Sequence, residues 1–220
     1  MEQSILTSDQ LVALACLKAN PLSSAFYLAG GTALSEYYFH HRFSDDLDFF
    51  TEEKEFPQLE VEVLAREIKE NIGAISIEYR RLHDRRMFFF QKGDQELKVE
   101  FSYYPFPPIE TRQMHDGIAV DSLPDIAAGK LMALLDRVEA KDFVDLYFTA
   151  EEGHISFERL MSLVKQKFDF VIDPLMLGSE FAKVRAVREL PRMIKPLTVE
   201  ELKAFFAARA KELGPQVLQE

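Results

Sequence analysis

Two aspartates separated by a single residue, Asp46 and Asp48, are the side chains of this sequence best suited to chemistry. Residues 47–50 alternate in a way that predicts a strand, in which positions i and i+2 point to the same face. Both carboxylates then project together, while Leu47 and Phe49 face the core. Because adjacent carboxylates repel each other and a divalent cation relieves that repulsion, the pair predicts a site for Mg²⁺ or Mn²⁺.

A glycine pair, Gly30 and Gly31, precedes the aspartates, between a short apolar run and a segment of helical character. Without Cβ atoms such a turn lets the backbone approach a phosphate, and the first N–H groups of a helix favour an anion. Thr32 adds a hydroxyl donor directly after the pair, and Ser44 adds another two residues before Asp46. Together these residues predict a phosphate-binding region.

A third carboxylate, Glu100, lies on a later predicted strand and shares its face with Lys98, while Val99 and Phe101 take the other face. If that strand neighbours the strand of the aspartates, Glu100 completes a site of three carboxylates. Such a site can bind two metals, one on the attacking oxygen and one on the leaving phosphate. A solvated strand face is the alternative explanation for Glu100.

The second half of the chain adds charges at helical spacing. Lys130 and Arg137 are seven residues apart and share a helix face. As a point charge Lys130 is suited to a triphosphate, and a solvated surface lysine is the alternative. Asp142 and Asp145 share a face of the next predicted helix. They could orient Lys130 or Arg137, or act as a base. A surface ladder of ion pairs explains them equally well.

Other charged residues have less specific patterns. Arg42 is a candidate partner for a phosphate or a core acid, whereas His40 and His41 are predicted to be loop residues. Four arginines lie at the end of a predicted hairpin, where they either are solvated or contact an acceptor RNA or a partner. They are Arg80, Arg81, Arg85 and Arg86.

The pattern of elements predicts an α/β region up to residue 121 and an all-helical region over 122–220. Strands are predicted at 26–29, 47–50, 75–82, 86–92, 96–104 and 118–120. Helices are predicted at 8–20, 32–39, 57–71, 122–138, 141–151, 156–168, 173–190 and 198–212. The fold class is therefore α+β, with a sheet-containing core followed by helices.

Composition limits the other possibilities. With 220 residues and 47% hydrophobic content, the chain can bury a core. The net charge of −11 argues against broad nonspecific binding to nucleic acid. The single cysteine, Cys16, excludes an internal disulfide. The start of the chain lacks a signal-peptide pattern, and no apolar run reaches the roughly 18 residues of a membrane helix. We expect a cytoplasmic protein with no membrane partner.

Two segments of the sequence together resemble the signature of a known protein family. Leu-Ala-Gly-Gly-Thr-Ala-Leu at 28–34, followed by His-Arg-Phe-Ser-Asp-Asp-Leu-Asp-Phe-Phe at 41–50, is similar to that of the AbiEii/AbiGii toxin family of nucleotidyltransferases, in the DNA polymerase β-like superfamily. The helix that carries Lys130 and the Lys-Asp-x-x-Asp segment that ends at Asp145 look like later motifs of the same family. The matches span 28–147 in the expected order.

The resemblance implies a mixed-sheet nucleotidyltransferase core with a helical C-terminal part. It implies Mg²⁺-dependent transfer of a nucleotide from a nucleoside triphosphate (NTP) to an acceptor, which can be RNA such as tRNA, or protein. It also implies the toxin role of a toxin–antitoxin or phage-defence system, with an antitoxin as partner. Glu100 departs from the pattern, since that position is commonly Asp.

Carried over by position, the resemblance assigns a role to each matching residue. Phosphates are held by Gly30, Gly31 and Ser44, metal by Asp46 and Asp48, and the nucleotide by Lys130, with catalytic assistance from Asp142 or Asp145. Two other functions stay open on the sequence. One is a non-catalytic nucleotide-binding regulatory module, against which the intact Asp46, Asp48 and Lys130 argue. The other is a nucleotidyltransferase that modifies a small molecule such as an antibiotic.

Overall fold

The structure, a computed structural model, describes residues 4–213 of the chain. These residues form two compact units. The first consists of residues 4–38 and 44–122, and the second of residues 39–43 and 123–213. The short segment Phe39–Phe43 therefore packs with the helical unit, although both of its neighbours along the chain belong to the first unit. No helix in the described part of the chain is both long and apolar enough to cross a membrane.

The first unit contains a seven-stranded sheet in the order β3-β4-β5-β2-β1-β7-β6. The sheet is mixed, because β2 pairs antiparallel with β1 and parallel with β5, and β1 pairs parallel with β7. The strands are β1 (Tyr27–Ala29), β2 (Asp46–Thr51), β3 (Ser76–Leu82), β4 (Arg85–Lys92), β5 (Gln95–Tyr103), β6 (Gln113–His115) and β7 (Ile118–Val120).

Three α-helices belong to the first unit: α1 (Ser8–Ala19), α2 (Gly30–Leu34) and α3 (Gln58–Ile72). A capping box formed by Thr7 and Gln10 starts α1, and a left-handed glycine, Gly73, ends α3. A π-helical turn, Ser35–Phe39, continues α2. The apolar faces of α1 and α3 are buried, and these two helices contact each other.

Five helices form the second unit: α4 (Leu123–Asp136), α5 (Ala140–Glu151), α6 (Phe157–Phe168), α7 (Pro174–Ala182) and α8 (Val199–Leu213). Ser156 caps α6, and Asp173 caps α7, whose first residue is a proline. Phe143, Phe181 and Phe206 are buried and pack edge to face in the centre of this unit.

The predicted α+β class with a mixed sheet and helices is confirmed, and the differences are local. β6 was not predicted, because a strand of three residues is too short for a periodic signal. The helix predicted over 173–190 ends earlier, as α7 followed by a 3₁₀ turn at Lys183–Ala186, after which Val187 adopts an extended backbone. The helix predicted from Thr32 begins at Gly30.

Candidate active site

The carboxylate cluster of the first unit is built by two parallel neighbouring strands, β2 and β5. Their register places Asp46 beside Lys98 and Asp48 beside Glu100. On β2 the residues between and after the aspartates, Leu47 and Phe49, are fully buried, as a two-residue period requires. The predicted shared face of Asp46, Asp48 and Glu100 is therefore present, and it is generated by the pairing of distant segments.

The ammonium group of Lys98 lies among all three carboxylates. Its Nζ is 3.1 Å from Glu100 Oε2, 3.4 Å from Asp46 Oδ2 and 3.8 Å from Asp48 Oδ1. Burial alone would lower the pKa of Lys98, but the carboxylates of Asp48, Asp46 and Glu100 outweigh it and raise the pKa above its ordinary value. Lys98 is therefore a permanent cation at the centre of the cluster.

Glu100 is held from several sides. Arg85 donates to it in a bidentate manner, from Nε to Oε1 at 2.6 Å and from Nη2 to Oε2 at 2.7 Å. The Ser102 hydroxyl donates to Oε1 at 2.9 Å. Burial raises the pKa of Glu100, but the hydrogen bond from Arg85 and the charge of Lys98 bring it below its ordinary value. Both oxygens of this ionised carboxylate are thus engaged by protein groups.

The aspartates are the carboxylates that can accept a metal. The side chains of Asp46 and Asp48 are 38% and 23% exposed, whereas that of Glu100 is 3% exposed. Mg²⁺ is usually held by one or two carboxylates together with substrate phosphates and water, so the donor set of the two aspartates fits it. Within residues 4–213, no group of three or more His, Cys, Asp and Glu side chains is arranged to hold a metal.

Gly30 makes room for Asp48. Its φ is +71°, and a Cβ at this position would overlap Asp48 Oδ2. Only glycine combines this backbone conformation with such a close carboxylate. Gly31 follows in the buried first turn of α2. The predicted phosphate contact of this pair stays a prediction.

The two predicted hydroxyl donors, Thr32 and Ser44, differ in burial. Thr32 is fully buried, and its hydroxyl donates to the backbone oxygen of Asp46, which fixes the start of β2 to α2. The phosphate contact predicted for the Thr32 hydroxyl stays a prediction. Ser44 is half-buried, and its backbone oxygen accepts a hydrogen bond from Gln10 Nε2 at 2.8 Å.

We expect Gly30→Ala to destabilise the protein and to lower its nucleotidyl transfer, because the new methyl group must displace Asp48. Gly73→Ala is the matched control, since Gly73 has the same φ of +71° with nothing within 4 Å of the added Cβ. The left-handed backbone alone costs about 1 kcal/mol in each variant. Thermal unfolding should show a clearly larger loss for Gly30→Ala. Equal losses of thermal stability in the two variants, with nucleotidyl transfer intact, would contradict the argument that the added methyl group displaces Asp48.

A second cluster lies in the helical unit, around Asp145 of α5. Arg42 donates to both of its oxygens, from Nε at 2.7 Å and from Nη2 at 2.8 Å. His41 Nε2 lies 2.8 Å from Oδ1, and Lys130 Nζ lies 2.6 Å from Oδ2. All four side chains are buried. Asp145 is thus a buried anion that gathers two cations and a histidine.

Asp142 binds a further cation, the guanidinium group of Arg137. Arg137 donates to it from Nε at 2.8 Å and from Nη2 at 3.2 Å, and Lys130 Nζ is 3.6 Å away. Asp142 is fully buried, so the alternative of a surface ion-pair ladder does not hold for it or for Asp145. Lys141 instead pairs with Glu139 at 2.9 Å. The two aspartates thus contact Lys130 and Arg137, as an orienting role requires, and that role stays a prediction.

The pKa of Asp145 bears on the choice between an orienting role and base catalysis for this carboxylate. Burial would raise the pKa of Asp145, but Lys130 and Arg42 hold the pKa of that carboxyl well below its usual range. Such a group is a poor proton acceptor near neutral pH. Burial lowers the pKa of His41 despite its contact with Asp145, so the ring is neutral and must donate from Nε2 to a carboxylate that only accepts.

The neutral state of His41 gives stability a pH dependence. The unfolded chain binds a proton at His41 near pH 6.5, whereas the folded chain does so only at lower pH. Below that value protons therefore favour the unfolded state, by up to about 1.4 kcal/mol per pH unit. Chemical denaturation between about pH 7.5 and 5.5 should show this loss. His41→Gln should remove most of the slope, and His154→Asn, at an exposed histidine, should keep it. A slope unchanged in His41→Gln would contradict the argument.

His41 and Arg42 were not among the predicted site residues. Their segment is anchored in the second unit by backbone hydrogen bonds from Phe43 N to Arg192 O at 2.8 Å and from Ile194 N to His41 O at 2.9 Å. The prediction of a loop was right for His41 in backbone terms, but the ring is fully buried. Of the two interpretations of Arg42, the core-acid partner is the one observed.

The structure thus assigns the predicted site residues to two clusters. The first unit carries Gly30, Gly31, Thr32, Ser44, Asp46, Asp48 and Glu100, and the second carries Lys130, Arg137, Asp142 and Asp145. Two further charged residues enter the first cluster without having been predicted as site residues, namely Lys98 and Arg85. Lys98 was detectable in principle, because it shares a strand face with Glu100.

Several known proteins are similar to this chain over nearly its whole length. A protein of Aquifex aeolicus (strain VF5), described as uncharacterized, is 32% identical over 211 residues, which are 94% of this chain and 97% of that protein. The crystal structure of JHP933 from Helicobacter pylori superposes with a TM-score of 0.60 at 25% identity, covering 96% of this chain and 91% of that one. A second H. pylori crystal structure, described as a candidate nucleotidyltransferase, has a TM-score of 0.60 at 26% identity. The match covers 97% of this chain and 98% of that one.

The family model described as "Nucleotidyl transferase AbiEii toxin, Type IV TA system" matches residues 12–218, which is nearly the whole chain. The match includes the strand of Asp46 and Asp48 as well as the helices of Lys130 and Asp145. The chain therefore belongs to the AbiEii family of nucleotidyltransferases, the toxins of type IV toxin–antitoxin systems.

Proposed function

We propose that this nucleotidyltransferase transfers a nucleotide from an NTP to an acceptor, which is an RNA such as tRNA or a protein. The transfer depends on Mg²⁺ or Mn²⁺. The protein acts in the cytoplasm as the toxin that an antitoxin opposes. The observation that carries the metal-dependent part is the pair Asp46 and Asp48, which project from one strand face and are partly exposed. The family supports the transfer reaction.

In the proposed reaction an acceptor oxygen attacks the α-phosphorus of the NTP. The bond from that phosphorus to the bridging oxygen breaks, pyrophosphate leaves, and the acceptor proton passes to solvent or to a nearby carboxylate. A bound divalent cation would neutralise the carboxylates and polarise the phosphate oxygens. Asp46 and Asp48 would hold it, and Gly30 lets the backbone of α2 pass close to Asp48.

The cluster of the helical unit supports the assignment of Lys130 to the nucleotide. Asp145 contacts the Lys130 ammonium at 2.6 Å, and Arg42 fixes that carboxylate from its other side. A lysine immobilised in this way presents its charge without a large loss of side-chain entropy on binding. Asp142 orients Arg137 in the same manner. We infer that the two aspartates position cations, and that Asp145 does not take the proton of the acceptor.

The test is incubation of the full chain with NTPs labelled at the α-phosphate, Mg²⁺, and either total RNA or total protein. Label should appear on one class of acceptor and be lost on addition of a chelator. The same NTPs labelled at the γ-phosphate should give no labelled product, which separates nucleotidyl from phosphoryl transfer. Absence of α-label on every acceptor, with NTP bound but unchanged, would identify a non-catalytic module. Label on small molecules alone would identify the antibiotic-type alternative.

A further inference from the structure

The charge of the carboxylate cluster is almost balanced by the protein itself. Asp46, Asp48 and Glu100 carry three negative charges, and Lys98 and Arg85 supply two positive ones within ion-pair distance. These five side chains together carry one net negative charge. Three carboxylates without these partners would attract two metal ions far more strongly.

The position of the lysine is set by Glu100. The Lys98 ammonium lies closer to Glu100, at 3.1 Å, than to either aspartate, and only 17% of its side chain is exposed. Glu100 in turn is fixed by the bidentate contact of Arg85 and by Ser102. To bind a metal, Glu100 would have to give up these charged partners. Asp46 and Asp48 lie farther from the same ammonium, at 3.4 Å and 3.8 Å, and are more exposed.

We propose that Lys98 is a positioning residue of the metal site: Glu100, clamped by Arg85, holds its ammonium beside Asp46 and Asp48, and this fixed charge limits the aspartates to one weakly held divalent cation. Glu100 then serves the site by placing Lys98 and does not ligate metal. Because Asp46 and Asp48 would hold the cation only weakly, the NTP phosphates would supply further ligands for it. This inference deepens the proposed function and depends on its metal requirement.

Binding of Mn²⁺ alone to the full chain tests the proposal, with free Mn²⁺ followed by electron paramagnetic resonance into the millimolar range. The wild-type protein should bind at most one Mn²⁺, weakly. Lys98→Met should tighten that binding about tenfold, since it removes a unit charge next to the aspartates. Adding Asp48→Asn to Lys98→Met should abolish this increase in Mn²⁺ affinity.

Two controls separate charge from folding. Lys98→Arg keeps the charge and should bind Mn²⁺ as the wild type does. Lys92→Met removes a lysine from β4 that pairs with Asp9 and should also leave binding unchanged. Each variant is first compared with the wild type by thermal unfolding, and two Mn²⁺ ions bound by the wild type would overturn the proposal even if Lys98→Met does not fold.

Three outcomes would overturn the proposal: two Mn²⁺ ions bound by the wild type, no tightening in a folded Lys98→Met, or no Mn²⁺ bound by any variant. The readout is independent of turnover. If the Mn²⁺ pattern holds while no acceptor is labelled, the transfer proposal fails and the role of Lys98 stands. If an acceptor is labelled but the wild type binds two ions, only the role of Lys98 fails.

Discussion

Replacing Asp145 by asparagine is expected to lower the free energy of unfolding by about 3–5 kcal/mol, the usual cost of leaving buried charges without their partner. The asparagine side chain has nearly the same shape but no charge, so Arg42 and Lys130 would both lose the anion that they contact at 2.7 Å and 2.6 Å. The hydrogen bond from His41 would also weaken, because its acceptor becomes a neutral amide. Urea denaturation at neutral pH measures the loss.

Asp169→Asn is the matched control in the same unit. The Asp169 side chain is 97% exposed and lies 3.9 Å from Lys165, so its loss should cost less than about 0.5 kcal/mol. Arg42→Met should be much less harmful in the Asp145→Asn background than in the wild type, because the pair has already been broken. Additive losses, or a cost of Asp145→Asn as small as that of Asp169→Asn, would show that the cluster does not hold the helical unit together.

Most of the fold could be predicted from the sequence, because its long strands and helices show clear apolar periodicity. Strand β2 alternates aspartate with buried apolar residues, and the apolar faces of α3 and α6 recur at helical spacing. Short elements carry too few residues for a periodic signal, as β6 shows. The helix predicted over 173–190 extended past the end of α7, where a 3₁₀ turn begins at Lys183.

The candidate site was accessible only where its residues are close in sequence. The Asp46 and Asp48 pair follows from strand geometry, whereas the position of Lys98 among the carboxylates depends on the parallel register of β2 with β5. The contact of His41 with Asp145 joins residues 104 positions apart. A polar segment with two histidines predicts a loop, and only the buried acid of α5 explains why His41 lies in the core.

Thr32 illustrates a different limit. Its position after the glycine pair suits a phosphate contact as well as it suits a structural one, and both use the same hydroxyl. The backbone oxygen of Asp46 accepts that hydroxyl, because the turn from α2 faces the start of β2. A motif thus identifies the elements around a site more reliably than the partner of each polar atom.

Asp48→Asn is expected to reduce nucleotidyl transfer about a thousandfold, the scale found when a group that stabilises charge in the transition state is removed. The amide cannot carry the negative charge that holds a divalent cation. Asp46 would then be the one charged carboxylate left of the pair. Stability should change by less than about 1 kcal/mol, because the carboxylate is partly exposed and its ion pair with Lys98 Nζ is long, at 3.8 Å. Transfer of α-labelled nucleotide and thermal unfolding measure the two effects.

Asp45→Asn provides the comparison, since Asp45 precedes the same strand, is exposed, and lies outside the alternating pair. It should retain transfer within about threefold, as expected of a surface substitution away from the reacting groups. Mn²⁺ in place of Mg²⁺ should partly restore Asp48→Asn, because Mn²⁺ accepts nitrogen and neutral oxygen ligands more readily. If Asp48→Asn stayed fully active while folded, the pair on β2 would not be the metal site, and the proposed reaction would need other carboxylates.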